Sequence, residues 1–129
     1  MSFRRRRNLP KAYYFQALKF YVYITTNPNG DALYVGLTNN LEQRVIEHYL
    51  NKGNSRTHAG KYYCYCLVFY EEHKYVNDAI MREKEIKKWR REKKEDLIRT
   101  FNPAWDNLNK ELFGIWPLPE EELVHRKDW

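Results

Sequence analysis

The sequence predicts a mixed α/β domain, on three observations. Two alternating apolar runs flank an Asn-Gly turn, a third run is rich in Tyr, Cys, Val and Phe, and stretches between and after them carry helical periodicity. Over residues 20–25, Phe20, Val22 and Ile24 fall on one face and Tyr21, Tyr23 and Thr25 on the other. Over residues 32–37, Leu33, Val35 and Leu37 share a face opposite Tyr34 and Gly36. The link Asn27-Pro28-Asn29-Gly30-Asp31 supplies the Asn and Gly that a hairpin turn needs for positive φ. Pairing the aliphatic faces puts Tyr23 and Tyr34 together on the opposite one.

A helix follows from Asn39 as N-cap, with Glu42 three residues on, to about residue 50. Leu41, Val45 and Tyr49 make its apolar stripe, and Arg44 and His48, four apart, share the border of that stripe. Residues 51–61 are polar and read as a loop, and residues 62–71 as the third strand. Asn77 caps a helix ending near residue 89 or 90. A further helix spans about 93–100 until Asn102-Pro103 stops it. Residues 1–18 form a basic arm around Arg4 to Arg7, read either as a solvated tail or as salt-sensitive phosphate contacts. The stretch 110–129 holds two prolines and His125 and has no evident placement, so it is set apart as a tail.

At 129 residues the chain suits one domain with a modest core. A net charge of +6 favours polyanionic partners, and nucleic acid before a neutral metabolite. Cys64 and Cys66 lack the spacing of a zinc site or a disulfide framework and read as reduced, packed thiols of a cytoplasmic protein. The basic N-terminus has no apolar stretch after it and no long apolar run occurs, so neither secretion nor a membrane is expected.

The most informative residue is Glu83. Val76, Ala79, Ile80 and Ile86 define the apolar arc of its helix, and Glu83 projects from the middle of that arc. A lone carboxylate there costs several kcal/mol, on the order of magnitude of burying a charge, unless it is paired or bound to a metal. One reading is a salt bridge to Arg44. The other is a hard cation such as Mg²⁺, which keeps most of its waters and needs as little as one protein carboxylate beside a substrate phosphate. Phosphodiester cleavage requires activated water, a cation near the developing charge, and an acid or metal at the leaving oxygen. Tyr23, Tyr34, Arg44, His48 and Glu83 offer candidates for each.

The order YVY, YVG, LEQRVIEH, REKEIKKW and FNPAWDNL resembles the GIY-YIG nuclease domain. It is more closely similar to the small stand-alone members related to the UvrC N-terminal domain. The resemblance covers residues 19–109. It implies an α/β (α+β) fold with a small three-stranded antiparallel sheet flanked by helices, and cutting of DNA with one divalent metal, Mg²⁺ or Mn²⁺. It implies that Tyr23 and Tyr34 are the tyrosines of the two signature motifs, that Arg44 and His48 belong to the site, and that Glu83 binds metal. Tyr23 would then be the general base or water-positioner, and Tyr34 a second hydroxyl near the phosphate. Asn107 is the choice for the family's late asparagine, ahead of Asn102, with helix capping as the alternative. Tyr21 stands where the family has the glycine of its first motif.

Lys87, Lys88, Arg90 and Arg91 suit either DNA-backbone contact or an ordinary solvated helix with i,i+4 pairs. Tyr62, Tyr63 and Tyr65 fit a strand face or stacking on unpaired bases, while His58 and His73 read as surface residues. The leading expectation is a metal-dependent DNA endonuclease, acting on branched or damaged DNA in repair or recombination. Against it stand a nucleic-acid-binding module of the same fold without turnover, and an adaptor in which Glu83 merely pairs with Arg44. No small-molecule cofactor and no protein partner is expected from the sequence.

Overall fold

The computed structural model describes residues 19–126, with side chains over 19–123; the basic arm expected over residues 1–18 and the side chain of His125 lie outside these. The elements run β1 (Phe20–Thr26), β2 (Leu33–Thr38), α1 (Leu41–Leu50), α2 (His58–Lys61), β3 (Cys66–His73), α3 (Val76–Lys88), α4 (Arg91–Phe101), α5 (Asn109–Phe113) and α6 (Glu120–Arg126). The three strands form one antiparallel sheet, as expected, and their order is β2-β1-β3.

The hairpin closes for local reasons. Gly30 takes φ +76° and donates its N–H to the Asn27 carbonyl at 3.0 Å. The Asn27 side-chain oxygen accepts from the backbone N–H groups of Asp31 and Ala32. Tyr23 lies opposite Gly36 and Ile24 opposite Val35. One face buries Val22, Ile24 and Val35 against Ala79 and Ile86 of α3 and Ile98 of α4. The other buries Tyr23 and Leu67 against Leu41 and Val45 of α1. Helices therefore cover both faces, and tyrosines line the α1 side.

Several local expectations shift. The N-cap of α1 is Asn40, whose side chain accepts from Gln43 N at 3.0 Å, so Asn39 is not the cap and Glu42 is not in its box. β2 runs to Thr38, leaving Asn40 as the extended residue before the helix. The 51–61 loop contains α2, a single turn capped by Thr57. β3 starts at Cys66 because Tyr63 adopts φ +58°, which ends any extended run before it. α3 begins at Val76, which places Asn77 inside its first turn and not at its cap. Val76 is 41% exposed, so the apolar arc of α3 holds at Ala79, Ile80 and Ile86 but not at its open end.

The stretch after residue 108, which the sequence sets apart from residue 110 on, reaches the α1 side of the core. Leu112, Phe113 and Trp116 pack on the cluster around Tyr23. Asn109, fully buried, donates to the Tyr65 carbonyl at 2.9 Å and accepts from Leu67 N at 3.0 Å. Asn102 at the end of α4 donates to the Val68 carbonyl at 3.1 Å. Two buried amides thus fasten the chain beyond α4 to the backbone of β3.

Candidate active site

Tyr23 sits mid-strand on the central strand, and the residue facing it has no side chain. A β-carbon built on Gly36 would fall within 3.0 Å of Cε1, Cζ and Oη of Tyr23. Glycine there lets the Tyr23 ring lie flat across β2 and reach α1. Its hydroxyl oxygen stands 2.7 Å from His48 Nε2, a hydrogen bond whose direction follows the imidazole tautomer. The Tyr34 ring meets His48 edge-on with centroids 5.2 Å apart and lies 6.3 Å from the Tyr23 ring. Same-face placement of the two tyrosines, read from strand alternation, is what the structure contains.

Arg44 precedes His48 by one turn of α1. Its Nε is buried and makes no hydrogen bond, although the Glu47 carboxylate approaches to 3.4 Å in a poor orientation. A cleft of about 470 Å³ opens here, walled by Tyr34, Gln43, Arg44, Glu47, His48 and Asn51 among others. Tyr23 is 0% exposed and lies behind His48, so the groups presented to the cleft are Tyr34, Arg44 and the imidazole.

Electrostatics follow from depth. Burial pushes the Tyr23 hydroxyl well above the ordinary phenol range, Tyr34 adds to this, Arg44 opposes it, and Glu47 and Glu83 raise it further. Burial, then the Arg44 guanidinium, holds His48 down at about 4. At neutral pH the pair is a protonated phenol against a neutral imidazole.

Glu83 projects from α3 between buried Ala79 and Ile86, its side chain 20% exposed. Its ion pair is with Lys87, one turn on, at 3.5 Å; Arg44 is paired with Glu47 instead. Among the described residues no three His, Cys, Asp or Glu side chains gather as a metal cage. Glu83 is not one of the cleft's wall residues, but its charge bears on the Tyr23 hydroxyl; one partly exposed carboxylate fits a hard divalent cation that retains most of its water, and does not fit a dehydrated multi-ligand site.

The remaining expected residues divide. Lys88 and Arg90 are exposed at the end of α3. Arg91 donates to the carbonyls of Asp31 and Gly30 and pairs with Glu95 at 3.0 Å, locking α4 to the hairpin turn. Asn107 accepts from Asn109 N at 3.0 Å and borders a groove with Thr26, Gly30 and Trp105, apart from the cleft walls. Cys64 and Cys66 are buried free thiols pushed up to about 11 by burial. His58, read as a surface residue, stacks on Tyr34 at 6.4 Å with rings 28° apart. Thr57, a capping residue type before His58, was the available signal for the turn that carries it.

The GIY-YIG catalytic domain profile matches residues 19–96. UPF0213 protein SSP2268 of Staphylococcus saprophyticus is 35% identical over 80 residues, spanning 62% of this chain and 94% of its own length. UPF0213 protein CPE1444 of Clostridium perfringens is 35% identical over 92 residues, spanning 71% and 96%. The solution NMR structure of UPF0213 protein BH0048 from Bacillus halodurans aligns at 26% identity with a TM-score of 0.44, over 72% of this chain and 96% of that one.

Proposed function

Because the chain belongs to the GIY-YIG catalytic domain family, a nuclease family, we propose that its cleft hydrolyses DNA phosphodiester bonds as a divalent-metal-dependent endonuclease. The observation that carries this reading is the 2.7 Å Tyr23–His48 hydrogen bond, with the imidazole kept neutral beside Arg44 on the cleft wall. A binding-only module has no use for a neutral base held in this way.

Arg44 takes the scissile phosphate through the part of its guanidinium that faces the cleft, its side chain being 40% exposed there. The arriving phosphate offsets the positive charge that depresses His48, so the imidazole becomes more basic when substrate is in place. In the tautomer that donates from Nε2 to the Tyr23 oxygen, the other ring nitrogen carries the lone pair that removes a proton from the attacking water. Tyr23, buried behind the ring, fixes that tautomer and the ring's orientation. Tyr34 lends its hydroxyl to the phosphate from the cleft wall. Glu83 would hold Mg²⁺ or Mn²⁺, which supplies charge stabilisation at the phosphate and at the leaving oxygen. Lys88 and Arg90, exposed at the end of α3, and Lys87, released when metal takes Glu83, would contact the DNA backbone, and branched or damaged DNA in repair or recombination is the substrate class proposed. For Arg91 and Asn107 the bonds within the protein support a structural part.

The test is cleavage of supercoiled, branched and single-stranded DNA with Mg²⁺, Mn²⁺ or EDTA, comparing wild type with Glu83→Gln and His48→Gln. Metal-dependent cutting should fall at least about 100-fold in both variants, through loss of the general base in His48→Gln and of the metal's carboxylate in Glu83→Gln, while DNA binding persists. DNA binding without cutting by wild type on every substrate would replace the nuclease with a binding module of this fold.

A further inference from the structure

We propose that His58 and Tyr62, with Lys61 and Lys94, form a second subsite that stacks the bases of an unpaired DNA strand beside the cleft; it rests on the nuclease reading above. The rings form a series that steps outward from the site. His48 meets Tyr34 at 5.2 Å, Tyr34 stacks on His58 at 6.4 Å, and His58 lies 4.9 Å from Tyr62. Exposure rises along it, from a fully buried Tyr23 through a half-buried Tyr34 to Tyr62 at 43%.

A groove of about 260 Å³ runs along the outer end of this series, between the hairpin, α2 and α4. His58, Tyr62 and Lys94 line it, whereas Thr57 and Ala59 face the main cleft, so α2 and its cap are the common wall of the two spaces. Lys61 places its ammonium 5.3 Å from the Tyr62 ring, and among the described residues no ion pair engages Lys94. Arg91 also lines the groove, but its guanidinium is held by the hairpin turn and Glu95 and serves as wall.

Exposed rings beside unpaired ammonium groups match the two parts of a single strand, bases on the aromatic faces and phosphates on the cations. A duplex keeps its base faces stacked on one another and cannot use the rings. The sequence pattern Tyr62-Tyr63 is absorbed by no strand, since β3 begins at Cys66. An exposed tyrosine at the end of a four-residue helix contributes little to a core, and beside its contacts with His58 and Lys61 this ring still opens to the groove.

The experiment uses the full chain in EDTA, so that binding is read without cleavage. A fluorescent oligothymidylate and a hairpin duplex of equal charge are titrated by anisotropy, and a single 2-aminopurine in the oligothymidylate reports stacking by quenching. Tyr62→Ala should lower single-strand affinity about ten-fold, the loss of one stacked base, abolish the quenching, and leave duplex affinity within about two-fold. Tyr62→Phe should retain both signals. Lys94→Gln, which removes no ring, should weaken single-strand binding and reduce its salt dependence by about one ion. Equal weakening of single strand and duplex by Tyr62→Ala, or no weakening of either, overturns the subsite. Wild type that quenches here but never cuts in the Mg²⁺ and Mn²⁺ cleavage assay removes the nuclease and leaves the subsite. Wild type that cuts, with Tyr62→Ala binding single strands normally, removes the subsite alone.

Discussion

Replacing Gly36 with alanine tests why the site has the shape it has. The Gly36 backbone lies in a region open to any residue, so conformation alone gives alanine no penalty. In a strand interior, removing glycine's extra freedom stabilises by about 0.5–1 kcal/mol. The new β-carbon, however, would stand 2.7 Å from Tyr23 Cε1 and within 3.0 Å of Cζ and Oη. Ordinary contact begins near 3.4 Å, so the ring must retreat by at least about 0.7 Å on that atom alone. Tyr23 is 0% exposed among Leu41, Val45 and Leu67, which leaves it no free volume. Overpacking of this kind costs about 1–3 kcal/mol, and drawing the hydroxyl from His48 forfeits roughly 0.5–1.5 kcal/mol more. The net expectation is destabilisation by about 1–3 kcal/mol after the glycine gain is subtracted. Urea unfolding of wild type, Gly36→Ala, Tyr23→Leu and the double variant measures it. With leucine at 23 the ring is gone, and alanine at 36 should be neutral or mildly stabilising, giving a coupling of about 2 kcal/mol. Gly36→Ala as stable as wild type, or equally harmful in both backgrounds, would refute the ring as the reason for the glycine.

Two further outcomes follow from burial. His48 is held near 4, below its ordinary 6.5, so between those values the unfolded chain takes up a proton that the folded protein refuses. Stability is therefore lost as pH falls from about 6.5 to 4, by on the order of 3 kcal/mol; urea melts of His48→Gln should lack this loss, and curves parallel to wild type would sink the assignment. Asn109→Ala leaves the Tyr65 carbonyl and the Leu67 N–H without their partner, at a cost of about 2–4 kcal/mol. Asn107→Ala should cost under about 1 kcal/mol by thermal unfolding, as an exposed position, and equal effects at the two sites would contradict the buried amide as the fastener.

The hairpin was legible because its signals are local: a period of two on each side and an Asn-Gly turn. The α1 cap was displaced by one because Asn39 and Asn40 are chemically alike, and only the end of β2 at Thr38 distinguishes them. α2 stayed hidden since four residues carry no periodicity, and the turn is held partly by Cys64 N donating to the Ala59 carbonyl. Asn109 could not be assigned from sequence, because its partners on β3 lie 42 and 44 residues away. Glu83 is the instructive case. Its ion pair with Lys87 is an i,i+4 spacing readable along the chain, whereas a pairing with Arg44 would join two separate helices, whose relative placement periodicity does not give.

Depth is the quantity that sequence alternation leaves out. Alternation states which residues share a face and is silent on which of them a covering helix will bury. Tyr23 and Tyr34 are equivalent by that rule, yet the first is fully buried with Leu41 and Val45 of α1 and the second is half-buried on the cleft wall. The reason is the order of the strands: Tyr23 is on the central strand, with neighbours on both sides, and Tyr34 is on the edge strand β2. A hydroxyl on the central strand can act only through what lies above it, here His48, while one on the edge opens to the cleft. Two signature tyrosines in like sequence contexts thus acquire unlike surroundings, one closed in against His48 and one open to the cleft. The asymmetry is set by sheet order and by the missing side chain at Gly36.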